Sequence, residues 1–190
     1  MDVLSVILGG FGLSSPAGLN AWLTMLIVGL AARFHLFNIT LKAPYDTLTN
    51  TWVLVVLGVL LLIEIFVDKI PAVDSINDII QTFIRPVAGG ILFGAYSGAV
   101  GGLEPWVAFI LGVLAAGTVH ATKTAARPVV TATTGGIGNP IVSFLEDMLA
   151  AGATILALIA PILAGVLMAA IVSIIFYAVF RWRARRRRVI

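Results

Sequence analysis

The sequence predicts an all-α fold: a polytopic helical membrane protein of about five transmembrane helices, with short re-entrant or interfacial helices and an internal repeat. Three observations predict it. Of the 190 residues, 60% are apolar and only 11% are charged, against roughly 45–50% and about 25% in soluble domains. The apolar residues gather in segments close to the roughly 20 residues that a bilayer core requires. The polar residues gather between those segments and in a basic run at the end. The same composition excludes a disordered chain, and the length leaves no room for a large soluble domain.

The segments follow in order. Residues 1–13 are apolar but too short to span, which predicts an interfacial or re-entrant helix. They contain Asp2 and no basic stretch, so they do not read as a cleaved signal peptide. Ser14-Ser15-Pro16 opens the first long segment, which runs to about residue 34. Proline is tolerated in a first helical turn because its missing N–H has no partner there. Arg33, His35, Lys42 and Asp46 mark a polar connection, and the second segment runs from Trp52 to about Asp68. Residues 69–82 are polar, with a short amphipathic helix predicted over 76–84. The third segment runs from Pro86 to about Leu103, and the tight turn Gly101-Gly102-Leu103-Glu104-Pro105 ends it. The fourth covers 106–122, a polar glycine-rich stretch covers 123–139, and 140–148 predicts another short helix. The fifth, 151–180, is long enough to cross with tilt, and Pro161 is its expected kink.

Residues 1–180 therefore read as one transmembrane domain and 181–190 as a basic cytoplasmic tail. The net charge of +3 hides an asymmetry, because Arg181, Arg183, Arg185, Arg186, Arg187 and Arg188 leave −3 for the rest of the chain. A polybasic run after an apolar segment faces the cytoplasm and anionic lipid. This places the C-terminus on the cytoplasmic side of the membrane. Lys69, Arg85, Lys123 and Arg127 then fall on the outer side, so the charge rule is obeyed only in part. No folded basic surface points to nucleic acid. There is no cysteine, which excludes disulfides and thiolate chemistry.

A repeat is visible at an offset of 54, where Trp52-Val53-Leu54-Val55-Val56-Leu57-Gly58-Val59-Leu60 matches Trp106-Val107-Ala108-Phe109-Ile110-Leu111-Gly112-Val113-Leu114. The units are about 1–69 and 74–123, with a partial third over 140–180. Gly90, Gly94 and Gly98 lie four apart, a spacing that favours close helix packing over a pore lining.

The candidate chemistry lies at the ends of the Trp-led spans. Glu64 and Asp68 share a helical face, as do His120, Lys123 and Arg127. Ionisable groups in a membrane face a bundle interior or an aqueous cavity, so the acidic and basic faces are expected to pair. Lys69, Arg85, Lys123 and Arg127 form a cationic set for a phosphate or carboxylate, balanced by Asp74, Asp78, Glu146 and Asp147. Asn139 closes the Thr/Gly-rich stretch 131–140, whose backbone amides before a helix suit an anion. Residues 70–75 are its counterpart in the first unit, and two broken helices at matching positions are a transport signature. Glu64, Asp68 and His120 do not have metal-ligand spacing. Neither a nucleophile–base arrangement nor a P-loop is present, so an enzyme and a cofactor are not expected.

Several stretches together resemble a known family. They are Ser14-Ser15-Pro16-Ala17-Gly18-Leu19-Asn20-Ala21, Glu64 with Asp68-Lys69-Ile70-Pro71-Ala72-Val73-Asp74-Ser75, Thr82-Phe83-Ile84-Arg85-Pro86, and Asn139 with Ser143-Phe144-Leu145-Glu146-Asp147. The chain resembles, up to about Ala151, a bacterial multi-pass membrane family known as a domain of unknown function (number 4126). Gly135-Gly136-Ile137-Gly138 departs from that family's usual Ser/Pro-containing loop. The resemblance implies a membrane protein and these signature positions, and no activity.

The expected function is a small integral membrane transport protein for an anionic solute or phosphorylated lipid, with its site at the broken-helix stretches. The alternatives are an ion channel and a non-transporting scaffold or assembly factor. The expected partners are membrane lipid, an anionic small molecule or lipid, and further copies of the chain.

Overall fold

The computed structural model describes residues 2–67 and 71–186, without the side chains of 71–76, 78, 175–176, 178–180 and 182–186. The described residues form seven α-helices: α1 (Val3–Ser14), α2 (Ala21–Arg33), α3 (Thr51–Val67), α4 (Pro71–Val100), α5 (Pro105–Thr134), α6 (Asn139–Ile159) and α7 (Pro161–Arg186). No strand occurs among them. Ile79–Val100, Pro105–Thr134 and Asn139–Ile159 are long and apolar enough to cross a membrane, and four further apolar helices are shorter. The surface pattern agrees with a lipid environment. Val55, Val59, Leu62 and Phe66 of α3 and Ile141, Phe144, Leu145 and Leu149 of α6 are exposed, while Glu64, Gln81, Arg85, His120, Lys123 and Arg127 are buried. Water-soluble proteins almost never bury charge in this way while exposing such long apolar faces.

Two antiparallel pairs organise the core. In α4–α5, Gly89 lies against Gly112 and Ala116, and Gly90 faces the Phe109 ring. A Cβ at Gly112 would stand 2.2 Å from the Gly89 carbonyl oxygen, so these backbones touch as small-residue membrane interfaces allow. In α1–α7, a Cβ on Gly165 would meet the Leu8 carbonyl oxygen at 1.9 Å, and Gly12 faces Pro161. Helix α1 also packs on α4, with Gly10 under Phe93, Gly9 under Tyr96, and Phe11 edge-on to Phe93 at 5.6 Å between centroids. The helix expected over residues 1–13 is α1, and it packs among its neighbours. Three small residues within one turn let it approach its neighbours.

Four expectations are corrected. The short helix expected over 76–84 and the span from Pro86 are one helix, α4, with Pro86 inside it. Proline removes one backbone bond and costs about 3 kcal/mol in an isolated helix, but buried Gln81, Arg85 and Ala88 on either side hold α4 in register. The polar stretch 123–139 is largely helical as well, because α5 continues through Pro128 to Thr134. Its threonines serve their own helix, with Thr131, Thr133 and Thr134 hydroxyls donating to the carbonyls of Arg127, Val129 and Val130. Only 135–138 form a turn, where Gly135 and Gly136 take φ of +63° and +89°, a region open to glycine. The helix expected over 140–148 and the start of the fifth span merge into α6, and Pro161 opens a separate helix after Ala160 leaves helical geometry. Finally, the first long segment is interrupted. A 3-10 turn, Ser15–Gly18, follows α1, and α2 begins only after Asn20.

Of the three glycines spaced for close helix packing, Gly90 takes part in it by receiving Phe109 of α5, while Gly94 and Gly98 lie against the Tyr45 ring. Tyr45 belongs to the α2–α3 connection, which thereby folds onto α4.

Candidate functional site

The polar side chains converge where the end of α3 meets the middle of α4 and α5. Arg85 is fully buried in α4 and Glu64, 2% exposed, lies near the end of α3. Arg85 Nη2 donates to Glu64 Oε1 at 2.7 Å. On its other side Arg85 Nη1 lies 3.0 Å from His120 Nδ1. His120 Nε2 in turn lies 3.0 Å from Thr82 Oγ1 and 3.4 Å from Thr124 Oγ1. The sequence places these groups where they meet, since Thr82 and Arg85, and His120 and Thr124, are three and four residues apart on facing helices. The acidic face of α3 and the basic face of α5 are thus joined through Arg85.

A second cluster adjoins the first. Lys123 and Arg127 follow His120 along α5, and both are buried. Lys123 Nζ and Arg127 Nη2 donate to the same atom, Glu146 Oε2, at 3.0 and 2.9 Å. Lys123 also donates to the Leu19 carbonyl at 3.1 Å, at the interruption between the 3-10 turn and α2. An interrupted helix presents a carbonyl that a regular one would consume, and here a buried ammonium uses it. Next to it Asn20 caps α2 by accepting from Leu23 N at 2.9 Å and donates to Asp147 Oδ1 at 2.9 Å. Asn20→Ala removes both bonds. It is expected to lower stability by about 1–3 kcal/mol, read as thermal unfolding in detergent, with Asn20→Asp keeping the cap and setting like charges together.

The sequence-predicted site residues are distributed as follows. Arg85, Lys123, Arg127, Glu64 and His120 come together. Asn139 is buried nearby, but its amide is engaged with Thr131, donating to Oγ1 at 3.0 Å. Asp68 and Lys69 lie outside the described residues, as do the side chains of Asp74 and Asp78. The anion cradle expected in 131–140 is not formed by backbone, because most of that stretch is helix. Of the counterpart 70–75, residues 71–75 belong to α4, and Ile70 lies outside the described residues. The interruption beside the cations is at Leu19–Asn20.

Sequence reasoning passed over Gln81, Thr82, Thr124 and Asn20 as site residues and treated Glu146 only as a balancing charge. The four-residue step from Gln81 to Arg85 and the Asn before the apolar run of α2 were the available signals. Gln81 Oε1 and Arg85 Nε are buried with no hydrogen-bond partner among the described residues. An open concavity of about 530 Å³ between α4 and α5 reaches the cluster, lined by Thr82, Pro86, Gly117, His120 and Thr124 among others. Among the described residues no group of three or more His, Asp or Glu is placed to hold a metal ion.

No curated protein and no solved structure matches this sequence. Residues 7–181 match the family described as Domain of unknown function (DUF4126), and the chain belongs to that family.

Proposed function

We propose that this chain is a small integral membrane transport protein for an anionic solute or the anionic headgroup of a phosphorylated lipid. One observation carries the reading: a single carboxylate oxygen, Glu146 Oε2, sits between Lys123 and Arg127. Two buried cations converging on one oxygen describe a site that takes an anion, and Glu146 is the anion supplied by the protein itself. Charged residues within membrane helices mark substrate pathways more often than scaffolding. Glu146 stands on α6, whose link to α5 is the four-residue turn 135–138 with two glycines at positive φ. We read that turn as the hinge that lets an incoming anion replace the carboxylate. This moves the site from the loop regions to the helix-borne cluster.

Further parts of the reading stand with it. The shorter apolar helices supply crossings beyond the three long ones. The repeat is supported by the starts of α3 at Thr51 and α5 at Pro105, each followed by an exposed tryptophan, Trp52 at 78% and Trp106 at 65%. Exposed tryptophans at helix starts suit the membrane–water interface. The arginines from 181 onward suit a cytoplasmic C-terminus in the cell membrane, with lipid as the surrounding partner.

The test is flux in phosphatidylcholine proteoliposomes, with inorganic phosphate in one arm and fluorescent phosphatidylglycerol in the other. Glu146→Gln withdraws the internal competitor, so half-saturation by the transported probe should fall by roughly tenfold. Lys123→Ala/Arg127→Ala should abolish flux of that probe. Flux unchanged by the double variant would sink the proposal. Ionic conductance without flux of either probe would point to a channel, and no flux of any kind to a scaffold.

A further inference from the structure

The Arg85–His120 contact fixes a protonation state. A guanidinium only donates, so His120 Nδ1, 3.0 Å from Arg85 Nη1, holds a lone pair. The proton of the neutral ring is then on Nε2, beside Thr82 and Thr124. A second proton on Nδ1 would set donor against donor and cation against cation. Arg85 Nη1 would have to leave, while Nη2 keeps Glu64.

Among the described residues the charged groups around the ring are Arg85 from α4, Glu64 of α3 behind it, Lys123 on α5 itself, and Glu146 of α6 against Lys123. The 3-10 turn meets His120 through Gly18, at its backbone. The concavity lined by Thr82, His120 and Thr124 gives the ring a path to the outside of the bundle.

We propose that His120 is a proton-binding site whose protonation releases Arg85 to an anion, so that an anion and a proton bind together. The released guanidinium offers its Nη1 protons to the anion while Nη2 stays on Glu64. A proton entering with one negative charge leaves the buried charge unchanged. Either one alone meets the desolvation penalty of a low-dielectric site. The anion half rests on the transport reading above, and the shared ligand chemistry is a phosphate group, free or on a lipid. The proton half rests on the hydrogen-bond geometry alone.

The sequence suits a direct test, because it contains two histidines, His35 and His120. The full chain is labelled with ¹⁵N at histidine and placed in phosphatidylcholine nanodiscs. His120→Gln assigns the ring signals and keeps an acceptor for Arg85 and a donor for Thr82 while removing the titration. Well above the ordinary histidine midpoint of about 6.5, the His120 ring should be the Nε2–H tautomer. Near that midpoint, the protonated fraction should rise when inorganic phosphate is added, or when phosphatidylglycerol replaces part of the lipid, and the responding arm names the source of the phosphate. A proton on Nδ1 at high pH, or a protonated fraction that neither probe moves, overturns the proposal.

In proteoliposomes, flux should increase on acidification by up to about tenfold per pH unit, the slope of a one-proton linkage, and His120→Gln should flatten it. Flux that needs Lys123 and Arg127 but ignores both pH and His120→Gln overturns the coupling and leaves the anion reading standing. Absence of flux at every pH removes the anion reading, and the coupling with it.

Discussion

Arg85→Ala is expected to cost about 3–5 kcal/mol of stability, the loss found when one partner of a buried ion pair is removed. The guanidinium is fully buried, and its carboxylate partner Glu64 is 2% exposed at 2.7 Å. After truncation the Glu64 charge stays inside without the arginine, and His120 Nδ1 loses its donor as well. The desolvation already suffered by these groups is what makes the loss large, because Coulomb attraction was the compensation for it. Glu64→Leu/Arg85→Leu removes both charges together, so most of the stability should return. The comparison separates a pair from two independent residues. SDS titration or thermal unfolding in a mild detergent, on wild type, both single variants and the double, reads the cycle. Independent, additive losses would show that Glu64 and Arg85 do not act on each other. The double variant should nevertheless lose transport, because the pair holds the guanidinium that the proposed mechanism moves.

Much of this cluster could be read from spacing. Glu64 and the His120, Lys123 and Arg127 face were identifiable because charges at three- and four-residue steps in apolar helices must share a face, and such faces avoid lipid. That Arg85 would stand between them was not identifiable. Pro86 follows it, and a proline after a polar stretch reads as a helix start. The structure continues α4 through Pro86 because burial of Gln81, Arg85 and Ala88 outweighs one lost backbone bond. The same misreading ended the fourth span before Lys123, although α5 runs eleven residues beyond it to Thr134. Threonines and charges look like a loop in sequence. Here the threonine hydroxyls return to helix carbonyls and the charges pair inward, so the helix presents few unsatisfied groups. The interruption at Leu19–Asn20 was the least visible feature. Its signal is one Asn, and what stabilises it is long-range, since Lys123 and Asp147 come from 104 and 127 residues away.

Gly112→Val should damage the fold by forcing apart the packed backbones of α4 and α5. A Cβ at Gly112 would stand 2.2 Å from the Gly89 carbonyl oxygen and 2.7 Å from Phe93 Cβ. Neither is the free end of a flexible side chain. Relief therefore requires α4 and α5 to move apart, and overpacking of this kind costs about 1–3 kcal/mol even where the surroundings yield. Here the two helices also carry the Arg85–His120 contact two turns away, at 3.0 Å. A hydrogen bond of that length does not survive a separation of an ångström or more. We therefore expect a combined loss of about 3–5 kcal/mol, and His120 should lose its fixed tautomer in the ¹⁵N spectrum. Gly58→Ala on α3 is the control, because nothing lies within 4 Å of a Cβ there. It should be neutral or stabilising by up to about 1 kcal/mol, the ordinary gain from alanine in a helix. If Gly112→Val instead behaved like Gly58→Ala, with His120 unchanged, the close α4–α5 contact would be wrong. The ion chain that it brings together would then lose its structural basis.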